Sequence, residues 1–466
     1  MASYYRRLPQ PSTILIRNPR FIITEYGVAT NSSILVEDRR IRMIASEGEI
    51  RKICKERLET IDASGCLVIP GLVDTHSHLA MSLLRGYAED LPLMSWLKER
   101  IWPAEAKLRP EHIELGATLG AAEMATSGIT SAVSMYFYDK AGSEASAMYR
   151  IGIRGIATHS VFEWTKGDAL QKTEAMVKEW HGRDEGRIRV ATSPHAPYTC
   201  GPQLLKDIEA KRQELNEKYG SEYRILNTTH VAETSTEADE IKATYGVSAK
   251  DGIAVYLDGL GAINNETIAA HAVHLSDLDM KVFKRRSASI ASCPLSNLKL
   301  GAGIAGISKC MAAGINVSLG TDGAASSNLL DMFEAMKIAS LLQKDASGDL
   351  TVMNAKQSFE SATINGAKAM HQESAIGGLK EGKRADIVIM ALKSPNAIPV
   401  YNPYSYLAFS AKSGDVRDVI VDGRVIVRDG VLLTVDIDKL GLEVESAAEE
   451  LGLKPKATGR KARSKD

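Results

Sequence analysis

The sequence predicts an α/β fold, a (β/α)8 TIM-like barrel joined to a small β-sandwich domain built from both termini. Two observations support this. The middle of the chain alternates eight times between a short strand-like run and a segment with helical spacing, as such a barrel requires. Both ends carry short β-like runs, which are too few at either end alone for a stable sandwich. A doubly wound sheet is the alternative, but it gives no reason for the polar residues described below.

The N-terminal β runs are interrupted by one helical stretch from Glu47 to Leu58, and near the other end Asp422-Gly423 and Asp429-Gly430 favour hairpin turns. The tail is basic and poor in apolar residues, which predicts disorder rather than a nucleic-acid-binding arm. The predicted limits are 1–70 and 373–454 for the two parts of the sandwich, 71–372 for the barrel and 455–466 for the tail.

Each of the eight candidate barrel strands is followed by a segment with helical spacing. The strands are Leu72–His78, Ile129–Tyr136, Ile153–Ser160, Ile188–His195, Ile225–Glu233, Thr267–His274, Ala288–Ser296 and Asn316–Gly323.

Composition narrows the class of protein. The 466 residues carry 57 basic and 58 acidic side chains, a net charge of −1 that indicates neither nucleic acid nor an anionic membrane as a partner. No run approaches the roughly 18 apolar residues of a membrane span, and the N-terminus lacks the apolar stretch of a signal peptide. Five scattered cysteines without a CxxC pair disfavour a disulfide scaffold. A cytoplasmic enzyme or binding protein is expected.

Polar residues cluster at the carboxyl ends of the predicted strands, which meet at one mouth in a barrel. Asp322 closes the eighth strand. Seven of the ten histidines lie at or near such ends: His76, His78, His159, His195, His230, His271 and His274.

Some of these residues could bind a metal together. His76 and His78 are two apart on a strand, so both rings can face the same side. Each of these features alone has another explanation. A His-x-His pair or a histidine at a strand end, such as His230, is also found packed in a core, and Asp322 between glycines could simply begin a turn. Three imidazoles and one carboxylate from strands one, five and eight form a plausible site for one divalent metal, zinc or ferrous iron.

A bound divalent metal lowers the pKa of its water to about 7, and such a nucleophile needs a base and an acid nearby. His271 on strand six is placed to act as base or orienting group, and Glu233 is the nearest candidate acid. His274 is interpreted as structural. No role is assigned to the remaining histidines, His112, His181 and His371.

These residues resemble the pattern of the metal-dependent amidohydrolase superfamily, and most closely the 5′-methylthioadenosine/S-adenosylhomocysteine deaminases and their relatives. The resemblance runs from about residue 70 to 345 and extends into the C-terminal β region through GGLKEGKRADIVIM. The segments that carry it are PGLVDTHSHLAMSLLRGYAEDLPLMSWL, IWPAEAKL, SPHAPYTC, THVAET, AAHAVHL, CPLSNLKLGAGIAGI and LGTDGAASSNLLDMFEAMKIASLLQK.

The resemblance implies a hydrolytic deaminase that converts the 6-amino group of an adenosine-type nucleoside to the inosine analogue. It also implies one metal, since no lysine ends strand four, and a homo-oligomer, a dimer or tetramer. Zinc is the expected metal, with iron as the alternative. The implied roles are metal ligation for His76, His78, His230 and Asp322, proton transfer for Glu233, orientation of water for His271 with Asp322 as proton acceptor, and substrate contact for Glu105 at the ribose hydroxyls and for His195.

The chain departs from this pattern at one place. Relatives that accept S-adenosylhomocysteine carry arginines just past strand three, whereas here His159 stands at the first position and the loop 161–169 offers only Lys166 as a cation. Losing a bidentate arginine weakens carboxylate binding. We therefore expect a preference for adenosine nucleosides with a small, uncharged 5′ group, such as 5′-methylthioadenosine, 5′-deoxyadenosine or adenosine. His159 is predicted to be a substrate-binding residue.

Two rival functions stay open. An amidohydrolase acting on guanine, a pterin, cytosine or a triazine would use the same metal ligands, but it would give Glu105 no ribose to bind. A catalytically inactive barrel that serves as a binding protein usually lacks a ligand or the acid, and here all are present. The H-x-E…P-C-x-x-C signature of other zinc deaminases is absent, because Cys293-Pro294 has no partner cysteine.

Overall fold

The computed structural model describes residues 3–54, 58–136, 138–139 and 142–453. None of the described helices has both the length and the apolar character that a membrane span requires. The predicted tail lies outside the described residues.

The N-terminal region is mostly β-structure, and its predicted helix ends earlier than expected, at Ile53. Its elements are β1 (Ile14–Arg17), β2 (Phe21–Thr24), β3 (Gly27–Ala29), β4 (Ser33–Glu37), β5 (Arg40–Ala45), α1 (Glu47–Ile53), β6 (Glu59–Asp62) and β7 (Cys66–Pro70).

Eight parallel strands then form the barrel, and each lies beside its neighbour in chain order. They are β8 (Leu72–Ser77), β9 (Ile129–Tyr136), β10 (Arg154–Val161), β11 (Ile188–Pro194), β12 (Asn227–Val231), β13 (Thr267–His271), β14 (Ser289–Ser292) and β15 (Val317–Leu319). The C-terminal region adds β16 (Ile387–Ala391), β17 (Val416–Val421), β18 (Arg424–Arg428) and β19 (Val431–Leu432).

Helices surround the barrel and cover the C-terminal region. They are α2 (Leu93–Ser95), α3 (Trp102–Glu105), α4 (Pro110–Thr126), α5 (Ser143–Ile151), α6 (Lys166–Trp180), α7 (Arg183–Gly186), α8 (Pro202–Tyr219), α9 (Glu237–Tyr245), α10 (Ile253–Gly259), α11 (Asp277–Arg286), α12 (Pro294–Lys299), α13 (Ile307–Ala312), α14 (Ala324–Ser327), α15 (Met332–Ser347), α16 (Ala355–Ser361), α17 (Ile364–Ala369), α18 (Pro403–Phe409) and α19 (Ile437–Glu450).

The predicted barrel is confirmed, and all eight strands overlap their predicted ranges. Several end earlier than predicted; β14 stops at Ser292 because Pro294 begins α12, where its missing N–H costs nothing. The barrel closes between β15 and β8. There the Thr75 and Ser318 hydroxyls lie 2.7 Å apart, and the Asp322 N–H donates to the His76 carbonyl at 2.9 Å.

Apolar side chains fill the interior of the barrel at the end opposite the carboxyl ends of its strands. The apolar cluster takes Ala367, Ala369 and Met370 from around α17. From the strands and their approaches it takes Val73, Val133, Ile156, Ala191, Leu226, Ile268 and Ala291.

Strands from both termini share one sheet, as the sequence predicts. In the order β19-β18-β17-β16-β7-β2-β3, the C-terminal β16 pairs antiparallel with the N-terminal β7. A second sheet, β5-β4-β1-β6, contributes to the same apolar core. The residue limits of the domains stay predictions.

Both Asp-Gly turns form two-residue hairpins, β17–β18 and β18–β19. Asp422 (φ 53°) and Gly423 (φ 74°) have the left-handed backbone of a type I′ turn. Gly423 is also sterically required, because a Cβ there would lie 1.7 Å from the Asp38 carbonyl oxygen.

A buried ion-pair network joins this sheet to the closed end of the barrel. The Arg154 guanidinium, at the start of β10, lies 3.1 Å from Asp386 and 3.4 Å from Asp422. Arg39, Arg384 and Arg424 also pair with Asp422. Burial raises the pKa of Asp422, but these arginines outweigh it and hold the pKa below its usual value.

We expect Asp422→Asn to destabilise the protein, because it leaves several buried guanidinium groups short of a counter-charge, a loss of about 3–5 kcal/mol. Calorimetry at pH 7 should show a clearly lower Tm. The lowered pKa means that this stabilisation exists above the unfolded pKa of about 3.9, so the Tm gap to the wild type should narrow as pH falls below about 4.

The matched control is Asp168→Asn, which removes an exposed pair with Lys172. Surface pairs are worth about 0–1 kcal/mol, so its Tm should stay near that of the wild type. Equal Tm values for both variants would contradict a stabilising role of the network.

Candidate metal centre and active site

Four histidine rings gather at the mouth of the barrel. The ring of His76 lies 4.9 Å from those of His78 and His230 and 5.2 Å from that of His271, measured between centroids. They come from β8 and the residue after it, from β12 and from β13. Nitrogen and oxygen atoms of His76, His230 and His271, and of His76, His78 and Asp322, lie within 4.8 Å of one another, close enough to share one ion.

The histidines are held in the tautomer that a metal requires. The Nδ1–H groups of three rings donate to fixed acceptors: His78 to the Met135 carbonyl (2.6 Å), His230 to the His195 carbonyl (2.7 Å) and His271 to the Asn297 side-chain oxygen (2.9 Å). In the neutral form of each ring, Nε2 is thereby left with a lone pair for the cavity. Burial lowers the pKa of His78, but Asp322, 3.0 Å from its Nε2, outweighs burial and raises the pKa to about 9. Burial lowers the pKa of His76 to about 4 and that of His230 well below its usual value, which keeps both rings neutral.

The donor set has room for a cation. His76 is completely buried, yet neither of its ring nitrogens has a hydrogen-bond partner in the part of the chain that the structure describes. Its Nε2 faces Asp322 Oδ1 at 3.5 Å, and His78 Nε2 faces the same oxygen at 3.0 Å. Buried polar atoms without partners are rare, and three imidazoles with one carboxylate suit a divalent transition metal. These residues therefore fit a metal.

Asp322 is fixed by its backbone and by its neighbours. Its φ of 61° is a left-handed conformation, and the Ser326 hydroxyl donates to Oδ2 at 2.8 Å. Burial raises the pKa of Asp322, but the rings of His76 and His78 outweigh it and hold the pKa well below its usual value. The buried Asp74 carboxylate accepts hydrogen bonds from the N–H groups of His76 (3.1 Å) and Thr321 (3.2 Å), which ties the first strand to the loop after the last.

Glu233 lies beside His271, with 3.7 Å between Oε1 and Nε2. Its carboxyl group is buried, and this burial raises its pKa. Its backbone N–H donates to Glu237 Oε2 at 3.0 Å, which fixes the loop after β12. A raised pKa favours the protonated form of the carboxyl group, which a proton donor in acid–base catalysis requires.

His78, His230, His271 and Asp322 of the cluster line one cavity. Its walls are mainly apolar, with Met81, Leu97 and Leu300 among them, and a π-helical stretch at Trp96–Ile101 shapes one side. A mainly apolar concave site with a few convergent polar groups is typical of a site for a small organic molecule.

Glu105 and His195 also line this cavity. Glu105 is completely buried, and burial raises its pKa to about 8 although Tyr136 and His78 act in the opposite direction. His195 Nδ1 lies 2.9 Å from the Thr199 hydroxyl, and its ring stacks on Phe162 with 4.3 Å between centroids. Six of the nine residues with predicted roles are thus in the histidine cluster or beside it, and Glu105 and His195 bring polar groups to the remaining wall.

His159 is placed differently from the expectation. Ser160 lines the cavity, so the preceding residue points to the other face of β10. His159 Nδ1 lies 3.0 Å from the Asp139 carbonyl oxygen, and the ring is not among those that line the cavity. Its predicted contact with a substrate has no support from this position. His274 Nε2 likewise lies against a backbone oxygen, that of Ala302, at 2.7 Å.

The sequence reasoning assigned no role to Asp74, Asn297, Ser326 or Thr199. Asn297 stands in the segment CPLSNLKL, which was a signal for the family but not for a contact with His271. Asp74 bonds to Thr321, which lies 247 residues away, so no local spacing marks it. Ser326 and Thr199 each lie four residues after the site residue that they contact, but a serine or threonine at that spacing is common and carries no specific signal.

Comparisons with known proteins agree with this geometry. Residues 67–426 match the amidohydrolase family. The chain is 40% identical over 446 residues to a 5′-deoxyadenosine deaminase of Methanosarcina acetivorans, covering 94% of this chain and 98% of that protein. It is also 40% identical over 446 residues to a 5-methylthioadenosine/S-adenosylhomocysteine deaminase of Desulforudis audaxviator, covering 94% and 99%. The crystal structure of an adenosine deaminase from Xanthomonas campestris with bound zinc has a TM-score of 0.87 at 28% identity, covering 96% of this chain and 100% of that one.

The metal centre can be tested by metal content. We expect His230→Ala to lose most of its bound metal, measured by atomic emission on protein purified with added zinc, because one of four donors is removed. His159→Ala is the matched control, since its ring lies outside the cavity, and it should keep the wild-type stoichiometry. Equal metal content in the two variants would remove His230 from the ligand set.

Proposed function

This chain belongs to the amidohydrolase family, and from that premise we propose that it is a metal-dependent deaminase of adenosine-type nucleosides. The reaction replaces the 6-amino group of the purine with oxygen and releases ammonia. One observation carries the proposal: a set of metal-binding side chains and a set of proton-transfer side chains lie next to each other at one cavity. The first set is His76, His78, His230 and Asp322, and the second is Glu233 and His271. The substrates named for the relatives at 40% identity support the choice of an adenosine.

The metal that we propose is zinc, with iron as the alternative, held by His76, His78, His230 and Asp322. Zinc is supported by the nitrogen and oxygen donors and by the zinc bound in the adenosine deaminase of similar fold. Such an ion acts as a Lewis acid and lowers the pKa of a bound water to about 7.

The protein's own groups then move the protons. Asp322 and His271 orient the attacking water, and Asp322 accepts its proton. Glu233 donates its proton to purine N1, which makes C6 electrophilic. It then takes up the proton that Asp322 accepted from the water and passes it to the amino group, which leaves as ammonia, and the C6 hydroxyl proton restores the Glu233 carboxyl group. Burial prepares Glu233 for this role, because it raises the pKa of the carboxyl group and favours the protonated form.

We further propose that Glu105 accepts hydrogen bonds from the ribose 2′ and 3′ hydroxyls and that His195 contacts the substrate. Both residues line the cavity. Glu105 would gain donors for a carboxylate that is otherwise deep in an apolar wall. The partners are then a nucleoside and further copies of this chain, and the homo-oligomer rests on the resemblance alone.

The 5′ group of the preferred substrate is proposed to be uncharged. Among the described residues that line the cavity there is no arginine to pair with an amino-acid carboxylate. The lack of an arginine in this wall is independent of His159, which lies on the outer face of its strand.

Glu233→Gln should lower kcat by about 10²–10⁴-fold while the metal content stays at the wild-type level, because an amide cannot transfer the proton. Ammonia release with 5′-methylthioadenosine and atomic emission provide the two measurements. Glu179→Gln, an exposed glutamate, serves as the control. Undiminished kcat in Glu233→Gln would exclude Glu233 as the proton donor.

The proposed substrate class is tested with metal-replete protein and a panel of 5′-methylthioadenosine, 5′-deoxyadenosine, adenosine, S-adenosylhomocysteine, guanine and cytosine. We expect the neutral adenosines to have the highest kcat/KM, with S-adenosylhomocysteine about tenfold lower or worse for want of a charge-assisted hydrogen bond. Ammonia release and the ultraviolet shift from adenine to hypoxanthine report turnover. Activity on a free base alone would overturn both the nucleoside substrate and the role of Glu105.

A further inference from the structure

The loop that carries Glu233 has an unusual backbone conformation. Ala232, directly before Glu233, has a φ of 52°, in the left-handed region that a residue with a Cβ rarely adopts. Its carbonyl oxygen accepts a hydrogen bond from the His274 N–H at 2.9 Å. Left-handed residues other than glycine are strained and persist only where the surrounding structure holds them. The turn that brings Glu233 to the cavity wall therefore needs support.

The side chain of Glu237 provides such support. Its Oε2 accepts a hydrogen bond from the Glu233 N–H at 3.0 Å, so the carboxyl group of one glutamate holds the backbone of the other. Glu237 is the first residue of α9 and is only 1% exposed, whereas Ser235, Thr236 and Asp239 around it are exposed. The side chain of Glu237 is thus turned away from the solvated start of the helix and toward the loop that carries Glu233.

The surroundings of Glu237 favour a neutral carboxyl group. Burial raises the pKa of Glu237 well above its usual value, and the charges of Glu233 and Glu240 act in the same direction. Its Oε1 has no hydrogen-bond partner among the described residues. A buried carboxylate with so little compensation is costly, whereas the protonated form can still accept the Glu233 N–H through its carbonyl oxygen. The contact therefore depends on the length and shape of the side chain and not on its charge.

From this geometry we propose that Glu237 is a positioning residue for the deamination: by holding the Glu233 N–H, it keeps the Glu233 carboxyl group beside His271 at the cavity wall. Glu237 is not among the described residues that line the cavity, so it acts through Glu233 and not on the substrate. A catalytic group displaced by about 1 Å can lose about 100-fold in rate. The inference rests on the proposed function and adds the group that orients the proton donor.

Two conservative variants separate this role from a general effect on the helix. Glu237→Gln keeps the reach of the side chain and loses its charge, whereas Glu237→Asp keeps the charge and is one methylene shorter. We expect Glu237→Gln to retain kcat for 5′-methylthioadenosine within about threefold and Glu237→Asp to lose about tenfold or more. KM and metal content should stay near the wild-type values in both, because the residues proposed to bind the ribose and the metal are unchanged. A charge that only stabilised the start of α9 would give the reverse order, with Glu237→Gln the impaired variant.

The matched control is Asp239→Asn, which removes an exposed acid from the same turn of α9 and should leave kcat unchanged. A double substitution tests whether Glu237 acts through its neighbour. In the Glu233→Gln background, adding Glu237→Asp should lower kcat by less than about twofold, because the group that Glu237 positions is already lost. A further loss as large as that of Glu237→Asp alone would overturn the positioning role.

Hydrogen–deuterium exchange gives a readout that does not depend on turnover. The peptide that contains the Glu233 amide should exchange faster in Glu237→Asp than in the wild type and at the wild-type rate in Glu237→Gln, because only the shorter side chain fails to reach that N–H. Reduced kcat in Glu237→Gln with full kcat in Glu237→Asp would overturn the inference, while nucleoside turnover by the wild type upheld the proposed function. If the wild type turned over none of the nucleosides in the panel, the proposed function and the role of Glu237 in it would both be refuted.

Discussion

Closure of the barrel between its first and last strands is the constraint on which both fold and site depend. The same few residues make the seam and hold two of the proposed metal ligands: the Asp322 N–H donates to the His76 carbonyl, and Asp74 accepts hydrogen bonds from the backbone N–H groups of His76 and Thr321. These two proposed ligands, one from each side of the seam, are therefore positioned by backbone hydrogen bonds and not by flexible side chains alone. A cation bound between His76 and Asp322 would in turn link the first barrel strand to the loop after the last.

The two ends of the barrel are built for different purposes. At one end apolar side chains from the strands and from α17 exclude water, and a network of arginines and aspartates attaches the shared β-sheet to the outside. At the other end the strands finish in histidines and carboxylates whose positions are set by fixed acceptors such as the Met135 and His195 carbonyls. A rigid base and a polar mouth allow side chains from distant parts of the sequence to meet within a few ångströms.

Much of this could be predicted from the sequence, because periodicity and strand ends are local signals. The eight strands, the two Asp-Gly hairpins and the pairing of both termini followed from apolar patterns and turn chemistry. The positions of Asn297 and Asp74 could not, since their partners lie 26 and 247 residues away and only closure brings them near. The contact of His159 with a substrate stays a prediction: a histidine near a strand end faces the cavity only if its position in the strand directs it inward, and here Ser160 lines the cavity. The helical spacing around Glu105 does not decide whether its side chain is exposed or buried. Its predicted contact with the ribose came from the family resemblance and not from the residue pattern.

The pairing of β16 with β7 has a consequence for how the chain is made. The inner strand β7 is among the first to leave the ribosome, but the strand that covers its edge begins at Ile387, more than three hundred residues later. Until then β7 presents unpaired backbone groups, the kind of edge on which aggregation starts. Arg154 likewise has no counter-charge from Asp386 and Asp422 until those residues have been synthesised. The nascent barrel must persist without this sheet, so synthesis from Ile387 onward completes the structure of the barrel's closed end rather than adding a separate unit.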